Sequence, residues 1–284
     1  MILLLQMNPN TNENIKTIAT LISNADAILI YAGAGMSVDS GLEQYRGHDG
    51  LWTKHLEIGG HQVKYLDLMA HIAFDETPKQ AWALAASLMQ QYEETIPHQG
   101  YYQLLDLVKN KEYFVMTSNC DNQFQKAGFD PAKIYECHGS FRYMQCMDIL
   151  ERDTWLTPHI EINMETFEAK ELPNCPKCGE NCRPNIYLFG DWFWVSTLST
   201  YQLIEYLNWT KEVTTKNKNI VAIEIGAGNT ITSIRQASEK FVEDKYPLIR
   251  INPNDYKVKM PNHMVIELGA KSAIGEIYGL LNSK

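Results

Sequence analysis

Long apolar runs are missing from this chain of 284 residues. None approaches the roughly 20 residues that a membrane-spanning helix needs, so no such helix and no membrane partner are expected. A secretory leader is not evident either: the opening MILLLQMNPN has a short apolar run without a basic flank or a small-residue cleavage site. Positive charge is also scarce. Lysine and arginine number 25 against 34 aspartates and glutamates, a formal charge of −9. Direct nucleic-acid binding by phosphate neutralisation is therefore not expected. Internal repeats and low-complexity tracts are absent. Together these features predict a cytoplasmic globular protein.

Hydrophobic residues make up 45% and charged residues 21%, enough to bury a core, which excludes a disordered chain. At about 150 residues per domain, the length suits one large domain or one with a smaller module. Short apolar runs at residues 27–31, 113–117, 186–189, 220–225, 248–251 and 264–268 read as buried strands. Helical spacing appears at 12–23, 79–93, 99–109, 201–209, 232–243 and 273–281. Continuous apolar strands alternating with helices predict an α/β fold, a mostly parallel sheet covered on both faces. Two stretches break the alternation. Residues 45–95 show no clear strand and read as a helical insert. Residues 141–183 are polar and Cys-rich and read as part of a small module.

Six cysteines are present, and four of them, Cys146, Cys175, Cys178 and Cys182, crowd into one segment. In a reducing compartment such crowding points to metal more than to disulfides. Zinc commonly takes two C-x₂₋₄-C pairs. Cys175 and Cys178 supply one pair; no second cysteine follows Cys146, which leaves Cys182 as the candidate fourth thiolate. A zinc site and a metal-free module both remain open on spacing alone.

The first strand runs into Ala32-Gly33-Ala34-Gly35-Met36-Ser37. A glycine turn at a strand end lets main-chain N–H groups approach a pyrophosphate, although a plain tight turn explains GAG equally well. Val38 stands where the third glycine of G-x-G-x-x-G belongs. The longer string GAGMSVDSGLEQYRG carries more. It is followed by Pro97-His98, by Thr117-Ser118-Asn119-Cys120-Asp121 with Ala127-Gly128, and by Glu136-Cys137-His138-Gly139-Ser140. Further on come Arg183-Pro184-Asn185-Ile186-Tyr187-Leu188-Phe189-Gly190-Asp191, Gly226-Ala227-Gly228 and Ile251-Asn252. In this order the motifs resemble the sirtuin family across nearly the whole chain.

The resemblance implies a single catalytic domain over 12–284. Its Rossmann-like part would take in 12–44, 96–140 and 184–284, and its small module 45–95 and 141–183. It implies NAD as cofactor and an acylated protein or peptide as partner. NAD contacts would come from Ala32, Gly33, Ala34, Gly35, Ser37, Arg46, Ser118, Asn119, Asp121, Gly226, Asn252 and Ala270. Ile186, Phe189 and Gly190 would hold the acyl-lysine segment by main-chain pairing. His138, with an ordinary pKa near 6.5 that suits proton transfer, would be the general base, with Asn119 beside it. The expected reaction is NAD-dependent protein-lysine deacylation, in which the acyl-lysine carbonyl attacks the ribose as nicotinamide leaves and His138 then activates a ribose hydroxyl. Protein ADP-ribosyltransfer, NAD hydrolysis and non-catalytic NAD sensing are the rival readings.

Several positions depart from the family pattern. Ser118 replaces glutamine, Asn122-Gln123-Phe124 replaces Gly-Leu-His, and Glu43-Gln44 replaces Pro-Asp. Gly226-Ala227-Gly228 lacks the Thr and Ser hydroxyls expected there, and Asp191 stands for glutamate.

Overall fold

The computed structural model describes residues 9–43, 50, 55–58, 61–188, 190–243, 245–258 and 263–283. Its centre is a six-stranded sheet, all of whose strand pairs are parallel. Across the sheet the strands lie in the order His263–Ile266, Leu248–Ile251, Ile220–Ile225, Ala27–Ala32, Glu112–Thr117, Ile134–Glu136. Ala27–Ala32 and Ile220–Ile225 are buried along their entire length. Successive side chains point to opposite faces, so the first strand serves two cores. Ile28 and Ile30 face a layer built from helices Pro9–Asn24, Gln99–Val108 and Ala270–Asn282, through Ile18, Leu104 and Ile274. Leu29 and Tyr31 face helices Thr197–Thr215 and Ser233–Val242, through Tyr206 and Ile234. Burial on both faces explains why these strands are continuous apolar runs.

The chain order sets the site. From Ala27–Ala32 the chain adds strands in one direction, then returns to lay Ile220–Ile225 on the other side of that strand. The carboxyl ends of these two neighbours form the switch point where open α/β sheets bind ligands.

A second core gathers residues of both interrupting stretches. Tyr65, Met69, Phe74 and Trp82 pack with Phe141, Cys146, Phe167, Cys182 and Leu188. Its three-stranded sheet is antiparallel, in the order Cys182–Ile186, Gly139–Cys146, Thr154–Leu156. Trp82 is fully buried, and its indole N–H donates to the Cys182 carbonyl at 2.7 Å, tying helix Pro78–Glu94 to this sheet.

Two sequence expectations need correction, and one strand was not expected at all. The stretch at 45–95 does contain strands: His55–Ile58 and His61–Lys64 form an antiparallel hairpin. The strand expected at 186–189 is Cys182–Ile186 instead, and it belongs to the small antiparallel sheet, not the parallel one. Its apolar signal misled because Ile186 and Leu188 are buried around an exposed Tyr187, while the true strand hides behind the polar side chains of Arg183 and Asn185. The parallel edge strand Ile134–Glu136, only three residues long, left no periodic signal. No helix among the described residues is long and apolar enough to cross a membrane.

Candidate active site

A cavity of about 840 Å³ opens at the switch point and extends to the small module. Its floor is two interlocked glycine turns. The Gly33 amide donates to the Ile225 carbonyl and the Gly35 amide to the Gly226 carbonyl, at 2.9 and 3.0 Å. A Cβ on Gly35 would meet Gly226 Cα at 2.6 Å, and one on Gly33 would meet the Gly226 carbonyl oxygen at 2.7 Å. Gly226 itself sits at φ +63° against the Gly35 backbone, a region that side chains resist. These glycines are thus required first by the approach of one turn to the other.

Beside them Asn119 and Asp121 follow strand Glu112–Thr117. The Asn119 amide nitrogen donates to the Gly33 carbonyl at 3.1 Å and to Ser37 Oγ at 3.2 Å, which aims it across the first turn. Ser37 donates to Asp121 Oδ2 at 2.5 Å and lies 2.9 Å from the Tyr101 hydroxyl. Burial pushes the Asp121 carboxyl up, opposed by hydrogen bonds from Ser37 and the Gln123 amide. His98 braces the same turn from behind. Its Nε2–H donates to the Met36 carbonyl at 2.9 Å, which leaves Nδ1 to accept from the Gly100 amide at 3.0 Å and cap helix Gln99–Val108.

His138 lies in the cavity wall, just past the edge strand Ile134–Glu136. Its Nε2 is 3.3 Å from Ser233 Oγ, and burial lowers its pKa from the usual 6.5, so the ring is neutral at pH 7. Its carbonyl accepts the Tyr187 amide at 2.9 Å. Next to it, Gly139 turns at φ +74° where a Cβ would strike the Asn185 carbonyl oxygen. The histidine is thereby held between the main sheet and the module. Two residues earlier, burial raises the Glu136 carboxyl to about 7; the Gln202 side-chain amide donates to it at 3.3 Å.

At the far end the lining comes from Gly226–Ile234 and Asn252–Asp255. The Ala227 carbonyl accepts from both Asn252 Nδ2, at 3.0 Å, and the Arg235 guanidinium, at 2.7 Å. The same Arg235 nitrogen reaches the Asp255 carbonyl at 2.5 Å, so one buried cation joins the two lining loops. Two carboxylates in the lining are already engaged. Asp255 accepts from the backbone and side chain of Asn229, and Asp39 accepts from the Lys271 amide at 2.8 Å. The remaining polar donors there are hydroxyls, side-chain amides and main-chain N–H groups. That set, anchored on glycine turns at a sheet switch point, fits a dinucleotide.

In the module the thiols of Cys146, Cys175 and Cys178 lie within 4.8 Å of one another. Cys146 and Cys178 sulfurs are 3.5 Å apart, near the edge of about 3.8 Å that 2.3 Å zinc–sulfur bonds give a tetrahedron. Burial alone would raise the Cys175 thiol, but hydrogen bonds from the Cys178 and Lys177 amides, together with those of the Cys178 and Cys146 thiols, hold it below its usual value. Donors aimed at a sulfur favour the thiolate that zinc binds. Cys182 pairs in register with Cys146 and is fully buried, yet its sulfur does not share that mutual 4.8 Å spacing.

The Sir2 family model matches residues 33–210, well over half of the chain. The chain belongs to the Sir2 family. It is 26% identical over 260 residues to the NAD-dependent protein deacylase of Aquifex aeolicus, covering 90% of this chain and 96% of that protein. It is 27% identical over 181 residues to NAD-dependent protein deacylase 2 of Archaeoglobus fulgidus, covering 63% of this chain and 65% of that protein. Among solved structures, a Sir2 homologue–NAD complex is similar in fold, with a TM-score of 0.70 at 19% identity over 94% of each chain.

As a Sir2-family site, the cavity gathers most of the residues expected from sequence. Gly33, Ala34, Gly35, Ser118, Asn119, His138, Ile186, Gly190, Gly226 and Asn252 all line it. Ser37 stands one hydrogen bond behind Asn119, and Asp121 one further behind Ser37. Ala32 and Ala270 are buried outside the lining. Ala32 offers its carbonyl to Ser118, and Ala270 follows Gly269, which does line the cavity. Arg46 and Phe189 lie outside the described residues. Sequence reading passed over Ser233, although the polar run Thr230-Ile231-Thr232-Ser233 after a glycine turn is a readable signal. It also passed over Met69 and Phe141, which look like ordinary core residues.

Proposed function

We propose that this chain is an NAD-dependent protein-lysine deacylase, and that His138 is its general base. The observation that carries the reading is one cavity in which His138 and Asn119 meet the two interlocked glycine turns, with the module closing the opposite side. NAD would supply the ribose that accepts the acyl group and the nicotinamide that leaves. Asn119, fixed by Gly33 and Ser37, orients the ribose; Asp121 holds the carboxamide end through the Ser37 network. His138, neutral at pH 7, takes the proton of a ribose hydroxyl at Nε2 or passes it through Ser233. The chain from Ile186 through Gly190, continuing a strand edge, holds the acyl-lysine segment. Residues 12–284 then act as one catalytic domain with its seam at this cavity. Cys146, Cys175 and Cys178 would hold a zinc ion that stabilises the module and takes no part in the chemistry, whereas Cys182, outside their mutual spacing, packs in the core. None of the six cysteines is in a disulfide, which fits a cytoplasmic location.

Mass spectrometry of NAD incubated with an acetyl-lysine peptide tests this. Nicotinamide, the deacetylated peptide and acetylated ADP-ribose should appear together, and His138→Ala should lower formation of the deacetylated peptide by about 10²–10⁴-fold. Free ADP-ribose formed without peptide would make the protein a hydrolase, and ADP-ribose left on protein would make it a transferase. NAD bound but never consumed would leave a sensor.

A further inference from the structure

We infer that the acyl group this site prefers is neutral, apolar and longer than acetyl, and that an acidic acyl chain is rejected. The inference rests on the deacylase reading and adds the substrate class to it. The cavity has two chemically different walls. On the sheet side the wall is mixed: side-chain amides and hydroxyls and the two carboxylates Asp39 and Asp255 alternate with Val38, Ile231, Ile234 and Pro253. On the module side the lining is Tyr65, Leu66, Met69, Phe141, Ile186 and Leu188. Five of these six are buried members of the module core, so the wall is a dry apolar surface continuous with that core.

His138 lies between the walls. If the cofactor occupies the polar side, the acyl carbonyl must reach the ribose near His138, and the rest of the acyl chain has only the module side to enter. There it meets mainly carbon, with the phenols of Tyr65 and the exposed Tyr187 as the polar exceptions. No lysine or arginine is present in the lining among the described residues. The nearby Arg183 is fully buried and already paired with Asp191 at 2.6 Å. A terminal carboxylate on the acyl chain would therefore lose its water without gaining a cation. Each methylene placed against the wall should instead raise kcat/KM by about fourfold, the transfer value of one buried CH₂.

The experiment measures kcat/KM for nicotinamide release from one peptide whose single lysine carries acetyl, butyryl, hexanoyl or succinyl. The expected order is acetyl below butyryl below hexanoyl, with succinyl at least about tenfold below butyryl. Succinyl turnover equal to or faster than butyryl, or acetyl faster than both longer chains, overturns this inference alone. Failure of all four peptides removes the deacylase reading and the inference with it. A second arm uses Leu66→Arg, at a position 39% exposed and so able to carry a guanidinium into the wall. It should raise the succinyl-to-butyryl ratio by about tenfold or more. An unchanged ratio in the folded variant would overturn the placement of the acyl chain against this wall, and the inference with it.

Discussion

The sheet and the module position their shares of the cavity by different means. In the sheet the turns at Gly33–Gly35 and Gly226 hold one another through main-chain hydrogen bonds and contacts that leave no room for a Cβ. In the module the corresponding work is done by side chains. Arg183 bonds Asp191, and Asn185 donates to Gln145 at 3.0 Å and to the Val195 carbonyl at 2.8 Å. Gln145 in turn fixes the Val195 amide and the Phe193 carbonyl. Backbone packing of this kind tolerates almost no substitution, whereas a side-chain network can be rebuilt with other residues. The difference teaches where a divergent chain is free to change: Asp191 can stand for glutamate because the buried guanidinium of Arg183 still finds a carboxylate.

The sharpest way to break the comparison is Gly226→Val. A Cβ there would lie 2.4 Å from the Gly35 backbone, at a φ that β-branched residues avoid. The expected result is loss of both cooperative unfolding by circular dichroism and NAD binding by calorimetry. A variant that melts like the parent and binds NAD would show that the turns are not locked together. The matching change in the module, Asp191→Glu, should keep both properties, because it conserves the charge that Arg183 requires.

A smaller effect is expected from Cys175→Ser. Ligand binding energy is also folding energy for a small polar module. The purified parent should therefore contain close to one zinc per chain, and the variant should lose it and melt several degrees lower. NAD binding should persist, since the glycine turns are built without this region. Parent protein free of zinc, with an unshifted melting curve in the variant, would make the three thiols mere packing.

The same contrast explains what could be read in the sequence. The parallel strands were legible because burial on both faces demands unbroken apolar runs such as Ile220–Ile225. Asn119, His138 and the glycine turns were legible through the ordered motifs that resemble the sirtuin family, since a lone histidine or a GAG turn has the same local signature in proteins without this chemistry. The strand Cys182–Ile186 was not, since its arginine and asparagine are buried by partners eight and forty residues away in the chain. Nor did Met69 and Phe141 announce themselves, because an apolar residue that lines a cavity has the same sequence signature as one that fills a core.

The smallest effect is expected at the seam between the two regions, in the response of His138 to pH. Burial lowers its pKa below 6.5, so the base form persists into mildly acidic solution and is lost only as pH falls through the lowered value. The acid limb of kcat/KM, which reports the free enzyme, should accordingly lie below pH 6.5. Stability moves in the same direction. His71, His98 and His263 are also lowered by burial, so the unfolded chain binds more protons than the folded one in that range. Their contribution is complete above about 6.5 and is lost as pH drops through the folded values. Circular dichroism at each pH separates the two losses, because protonation of His138 lowers the rate while the protein is still folded. An acid limb centred above 6.5 in folded protein would mean that His138 is exposed to solvent or paired with an anion, and that the two walls do not close on it as the structure shows.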